Sequence, residues 1–299
     1  MVGVAKQVSR AIRTPLQKGA LHLYGGGVRV ASAFLPRLRH NPGTRWLFVA
    51  CLPNGGSTAL AKMLGSSRSA VRLTPSGEGQ WLVPAMSATG RRWDPDLPLD
   101  YAQIRRVWLS RVPAGRDCVV VEKSPPNLCR FRTLTAAFSE MPTLALVMSR
   151  DPVAVCASWA KRYAPSTVIR TWHPELAGQG LERDDIAFHE ALGRICGRRF
   201  EMLRDAADIP GAIVTTYEDV ARDPEALRDR LADALPQLSD IDPRVSLGVK
   251  DYPEQSFRDM NAADIARLSS DQANAIRRGL APHDAALRHF GYTSTSTPA

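Results

Sequence analysis

Residues 47–64, LFVACLPNGGSTALAKML, place an apolar run, a tight Leu52-Pro53-Asn54-Gly55-Gly56 loop and two adjacent hydroxyls, Ser57 and Thr58, in direct succession. The run reads as a buried strand and the segment from Ser57 as the start of a helix. Two glycines let successive backbone N–H groups converge on an anion. The helix N-terminus adds free donors and partial positive charge, and the hydroxyls add more. Phosphate binding is the chemistry this order of residues could do. A plain strand-to-helix turn with a serine cap fits the same fragment. The GxxxxGK[ST] pattern is absent, because no lysine precedes Ser57, which disfavours a Walker-type ATPase.

A second unit follows the apolar run 143–148. Arg150 comes first, then Asp151-Pro152, suited to the cap and first turn of a helix that carries Ser158. Arg150 falls at the carboxyl end of a strand, where open α/β sheets bind ligands. A planar guanidinium and a hydroxyl there could grip a further phosphate. The alternative is an Arg–Asp surface pair beside a solvated serine.

Together with VVVEKSPPN (119–127) and TTYEDVARDPEAL (215–227), these units resemble the sulfotransferases that use 3′-phosphoadenosine 5′-phosphosulfate (PAPS). The resemblance covers roughly residues 46–235, with a weaker match through LSSDQANAIRRGLAP and LRHFGY near the C-terminus. It implies that Pro53, Asn54, Gly55, Gly56, Ser57 and Thr58 hold the 5′ end of the donor. By the same resemblance Arg150 and Ser158 hold its 3′-phosphate, Tyr217 lies near the nucleotide, and Lys123 contacts the phosphosulfate bridge. The residue before the glycine pair is usually Arg or Lys in that family; here it is Asn54. Lys123 or Lys62 could supply the missing cation, and Lys62 lies one turn beyond Thr58. Two carboxylates compete as the base for an acceptor hydroxyl or amine, Glu78 in SGEGQW and Glu122 in VEKSP, with His173 a weaker third. No metal is implied.

The elements that must position these groups alternate along the chain. Apolar runs at 46–51, 118–122, 143–148 and 212–216 read as buried parallel strands, and 57–67, 127–139, 151–163, 184–206 and 223–234 as helices. That rhythm predicts an α/β three-layer sandwich with a central parallel sheet, similar to P-loop nucleotide kinases. The Gly- and Pro-rich stretch 75–98 and the segment 164–181 break it and read as insertions that shape a substrate pocket.

The composition is that of a globular chain: 299 residues, 44% hydrophobic and 23% charged. No apolar run reaches the ~20 residues of a membrane span, and the start lacks the pattern of a secretory signal. Five scattered cysteines with no CxxC pair indicate neither a zinc site nor a disulfide framework. A reduced, cytoplasmic protein is expected. The net charge of +9 is confined to one end: residues 1–77 hold eleven Lys and Arg and no acid. We divide the chain into a basic leader, 1–42, and a main domain, 43–299. Within the leader Val4, Val8, Ala11 and Ile12 follow helical spacing, with Lys6, Arg10 and Arg13 on another face. Such a helix packs on its own domain or lies on an anionic membrane surface. Aromatics are not interleaved with the charge, which argues against nucleic acid as a partner. The expected partner is a small-molecule, glycan or lipid acceptor. A P-loop kinase, or a nucleotide-binding relative without catalysis, is the alternative reading.

Overall fold

The computed structural model describes residues 18–27, 42–88, 90–172, 182, 185–248 and 254–295. Five parallel strands form its central sheet: β1 (Arg45–Cys51), β2 (Ala70–Arg72), β3 (Val119–Glu122), β4 (Thr143–Ser149) and β5 (Ile213–Thr216). Their order is β2-β3-β1-β4-β5, so β1 is central, with β3 and β4 on either side. Leu47 is in register with Val121 and Leu144, and Cys51 with Met148.

Every residue of β1 after Arg45 is buried. Successive side chains of a strand point to opposite faces. Trp46, Phe48 and Ala50 therefore enter one apolar cluster, while Leu47, Val49 and Cys51 enter the other. A strand covered on both faces has no polar side to show, and this is why the run reads as uniformly apolar. On the first face Trp46 sits 4.5 Å, centroid to centroid, from Phe138 and 6.1 Å from Trp108.

The helices that matter for the site are α1 (Ser57–Leu64), α2 (Tyr101–Leu109), α3 (Pro152–Arg162), α4 (Pro165–Trp172), α5 (Ile186–Ala207), α6 (Pro224–Ala234) and α7 (Ser270–Leu280). Asp151 and Asp223 each accept a hydrogen bond from the backbone of the turn they cap, and Pro152 and Pro224 occupy the first helical position. Ser269 and Gln272 form a reciprocal capping box on α7.

Three local expectations change. β2 is a three-residue edge strand of half-buried residues, too short for a periodicity to register. The helix expected over 127–139 divides into a 3₁₀ stretch, Pro125–Arg130, and a short α-helix, Phe131–Ala136. Two consecutive prolines fit only the first turn of a helix, and Asn127 N–H bonds the Ser124 carbonyl three residues back. Of the insertion 164–181, residues 165–172 form α4, and 173–181 lie outside the described residues.

Residues 4–13 of the basic leader also lie outside the described residues. Residues 18–27 are helical and rest on the main domain. Tyr24 shares a 3.0 Å hydrogen bond with the Ser110 hydroxyl, His22 Nε2 is 2.7 Å from Ser87 Oγ, and Lys18 Nζ lies 3.9 Å from the Trp81 ring centroid. Among the described residues no helix is long and apolar enough to cross a membrane.

Helices α5 and α7 cross closely at Gly193 and Gly279. A Cβ on Gly279 would stand 2.8 Å from the Arg194 amide nitrogen and 3.0 Å from Gly193 Cα. Alanine favours a helix over glycine by about 1 kcal/mol, whereas overpacking a tight contact costs about 1–3 kcal/mol. Gly279→Ala should therefore lower the unfolding free energy in urea titrations; an increase would show that the crossing can open without cost.

Candidate active site

Because β3 and β4 flank β1, the three sequence units converge at the carboxyl ends of adjacent strands. After β1, Gly55 N–H bonds back to the Leu52 carbonyl at 3.0 Å, closing the turn. Asn54 takes the left-handed conformation at φ 57°, which asparagine tolerates better than most residues. Gly56 is left-handed too, φ 89°, and a Cβ there would lie 2.8 Å from Tyr217 Cε2. Glycine is required twice over at that position, by backbone and by space. Trp159 Nε1 of α3 donates to the Pro53 carbonyl at 2.7 Å, fixing the loop from below.

Arg150 follows β4 and is 4% exposed. Its Nε donates to Asn261 Oδ1, one Nη to the Asn54 carbonyl and the other to Asp264 Oδ2, each at 2.8 Å. The Tyr217 ring stacks beneath, 4.5 Å from Cζ. One guanidinium thus ties the phosphate-type loop, the segment 261–264 and the TYED turn into one body. Asp264 also receives Arg267. Glu218 accepts from Asp151 N–H at 2.9 Å, from Tyr292 Oη at 2.7 Å and from the Asn261 amide. Tyr217 Oη donates to the Arg258 carbonyl at 2.6 Å, and burial pushes its pKa up to about 12.

An open cleft runs over this body. Asn54, Gly56, Ser57, Thr58, Arg150, Ser158 and Tyr217 all line it, so seven of the residues nominated from the sequence share one surface. Pro53 and Gly55 sit in the turn beneath. The residues that sequence reasoning missed come from the C-terminal segment: Phe257 and Arg258 line the cleft, and Asn261 and Asp264 orient Arg150. Their signal, an Arg followed by Asn and Asp within QSFRDMNAAD, has no motif spacing of its own.

Lys123 follows β3 and is 1% exposed. Its Nζ donates to Thr58 Oγ1 at 3.3 Å and to Glu78 Oε1 at 2.8 Å, while its backbone N–H bonds the Gly77 carbonyl at 2.9 Å. Glu78 Oε2 accepts from Gln80 Nε2 and Trp81 Nε1 at 2.8 and 2.9 Å. Burial alone would raise the Glu78 pKa, but the Lys123 charge and these donors outweigh it and hold the carboxyl below its ordinary value.

Glu122 is placed differently. Its side chain lies inside the protein, 1% exposed, and Oε1 accepts from Gly79 N–H at 3.0 Å, Ser124 N–H at 3.1 Å and the Ser124 hydroxyl. Oε2 accepts from Asn127 Nδ2 at 3.1 Å. Burial raises its pKa despite these donors. Its contacts fasten the 77–82 turn to β3. Lys62, the other nominated cation, donates instead to the Gly248 carbonyl. His173 lies outside the described residues. No cluster of metal-ligating side chains occurs among the described residues.

The Arg150–Asp264 pair is buried on both sides, at 5% and 3% side-chain exposure. Removing one partner of such a pair leaves an uncompensated charge and costs about 3–5 kcal/mol. Asp264→Ala should lose stability on that scale in chemical denaturation. A loss below about 1 kcal/mol, the level of a surface pair, would contradict the organising role given to this contact.

No family model and no curated protein matches the chain. Among solved structures it is similar to a sulfotransferase from Alicyclobacillus acidocaldarius, at 16% identity and a TM-score of 0.48, over 85% of this chain and 98% of that one. It is also similar to sulfotransferase STF9 from Mycobacterium avium, at 13% identity and a TM-score of 0.46, over 81% and 69% of the two chains. For sulfotransferase STF1 from Mycobacterium tuberculosis H37Rv the values are 15% and 0.43, over 80% and 77%. The likeness is one of fold.

Proposed function

We propose that the protein transfers a sulfuryl group from PAPS to an acceptor hydroxyl or amine. The observation that carries this reading is the position of Lys123. Its ammonium bridges Thr58, at the mouth of an anion cradle, and Glu78, a carboxylate held ready on the other side. The cradle contains no Walker lysine, and Asn54 offers no cation, so Lys123, in contact with Thr58, is the cation beside the loop hydroxyls.

The cleft suits a donor with phosphates at both ends. Gly56, Ser57 and Thr58 line it at the start of α1, where a helix N-terminus offers free N–H donors to an anion. Arg150, Arg162 and Arg258 line the cleft against one carboxylate, Asp264. A guanidinium has five N–H donors, and Arg150 commits three of them to protein. Two remain for a 3′-phosphate beside Ser158. Phe257 and Tyr217, 5.1 Å apart, supply aromatic faces for a base.

The donor brings a sulfuryl group already attached to a phosphate leaving group. The protein must then neutralise charge growing on the leaving oxygen and remove the acceptor's proton. Lys123 and the loop donors serve the first need. Glu78, ionised and aligned by Gln80 and Trp81, serves the second. Glu122 holds the turn that carries Glu78, because all its contacts are made inside the protein.

Lys123→Ala should lower turnover by about 10²–10³-fold, the cost of removing one donor aimed at developing charge. The pH dependence separates the two carboxylates. A base with a depressed pKa is ionised across the neutral range, so the acid limb of kcat/KM should lie below the ordinary glutamate value of 4.5. With Glu122 as base, its raised pKa would move that limb above 4.5. Sulfation of a hydroxyl acceptor panel with PAPS, followed across pH, reads both.

A further inference from the structure

Arg199 lies on the far side of Trp159 from the phosphate-type loop. It projects from α5, is 3% exposed, and has no carboxylate partner among the described residues. Three indoles surround it: Trp93, Trp172 and Trp159 have ring centroids 3.7, 4.4 and 5.0 Å from its Cζ. Its Nη1 finds no hydrogen-bond acceptor among the described residues. Aromatic faces attract a guanidinium but do not receive its in-plane N–H bonds. Burying such donors without an acceptor is costly. Burial lowers the Arg199 pKa to about 9, which leaves it protonated at neutral pH.

Arg199 is among the residues that line a chamber of about 390 Å³ between the 90–95 turn, α4 and α5. That volume falls within the range of small-molecule sites. Trp93, Trp172, Ile195 and Met202 give it apolar walls, and Arg198 a second cation. Among the described residues Asp94 is the one carboxylate on its wall, and Arg91 engages it at 2.8 and 3.1 Å. The turn is held from outside by Arg130, which donates to the Arg92 and Asp94 carbonyls at 3.2 and 2.6 Å. That wall of the chamber is therefore fixed. Tyr163, which follows α3, packs on Trp172 of the chamber wall at 4.6 Å.

We infer that this chamber binds the acid group of an anionic acceptor, with Arg199 as its counter-ion and the tryptophans against a flat apolar body. Calling the ligand an acceptor rests on the sulfotransferase reading; the anion site rests on the geometry of Arg199.

The test compares 4-hydroxyphenylacetate with 4-hydroxyphenylacetamide, nearly equal in shape and different in charge, by tryptophan fluorescence titration of the full chain. The acid should bind at least tenfold more tightly. Arg199→Met should bring the two within about twofold, and Arg199→Lys should restore part of the preference, with thermal melts confirming that both variants fold. Equal affinity in the unsubstituted protein, binding of neither compound, or a preference that survives in Arg199→Met would each overturn the inference. The first two outcomes need no variant. Titration of the same preparation with 3′-phosphoadenosine 5′-phosphate separates the two claims. If that nucleotide binds and the acid shows no preference, the chamber inference fails alone. If the acid is preferred and the nucleotide does not bind, the donor reading fails while the anion site stands.

Discussion

The site depends on one buried ion pair. Arg150 and Asp264 come from positions 114 residues apart, and no local sequence preference brings them together. Their contact determines where the C-terminal segment lies over the sheet. Through Asn261 it reaches Glu218 and thence Tyr292, and through the Asn54 carbonyl it fixes the loop after β1. A buried charge pair is a weak source of net stability, because desolvation offsets most of the attraction. Its contribution here is positional. The pair tolerates one arrangement of three chain segments, and that arrangement walls the cleft.

Around this centre the chemistry divides by strand. β1 supplies the glycine loop, β4 the guanidinium that holds its rim, and β3 the lysine that hydrogen-bonds Thr58. The strand order makes the division work, since β3 and β4 lie on opposite sides of β1. Trp159 joins this region to the tryptophan cage: its indole nitrogen holds the Pro53 carbonyl while its ring backs Arg199. The two carboxylates after α1 are tuned in opposite directions by their surroundings. Glu78 shares its charge with Lys123, and Glu122 has only neutral donors in a dry setting.

Much of this was legible in the sequence, and the reason is local. β1, β3 and β4 are covered on both faces, so their apolar runs stood out; the glycine loop and the Asp-Pro helix start are signals within a few residues. The Gly56 requirement was readable as a turn but not as a contact with Tyr217, 161 residues away in sequence. β2 has three half-buried residues and carries no pattern. Lys62 was the right residue type at helical spacing from Thr58, yet its amine reaches Gly248, because a long flexible side chain follows the nearest carbonyl. The tryptophan cage was hidden for the same reason as the Arg150 pair. Trp93, Trp159, Trp172 and Arg199 come from a turn and three helices, and only tertiary packing makes them neighbours.

The central claim is that the cleft over Arg150 binds a nucleotide phosphorylated at both the 3′ and 5′ positions. Calorimetric titration with 3′-phosphoadenosine 5′-phosphate, set against adenosine 5′-phosphate, tests it most directly. Tight binding of the bisphosphate and much weaker binding of the nucleotide that lacks the 3′-phosphate are expected. No heat from the bisphosphate with folded protein, or equal affinity for the two, would contradict it.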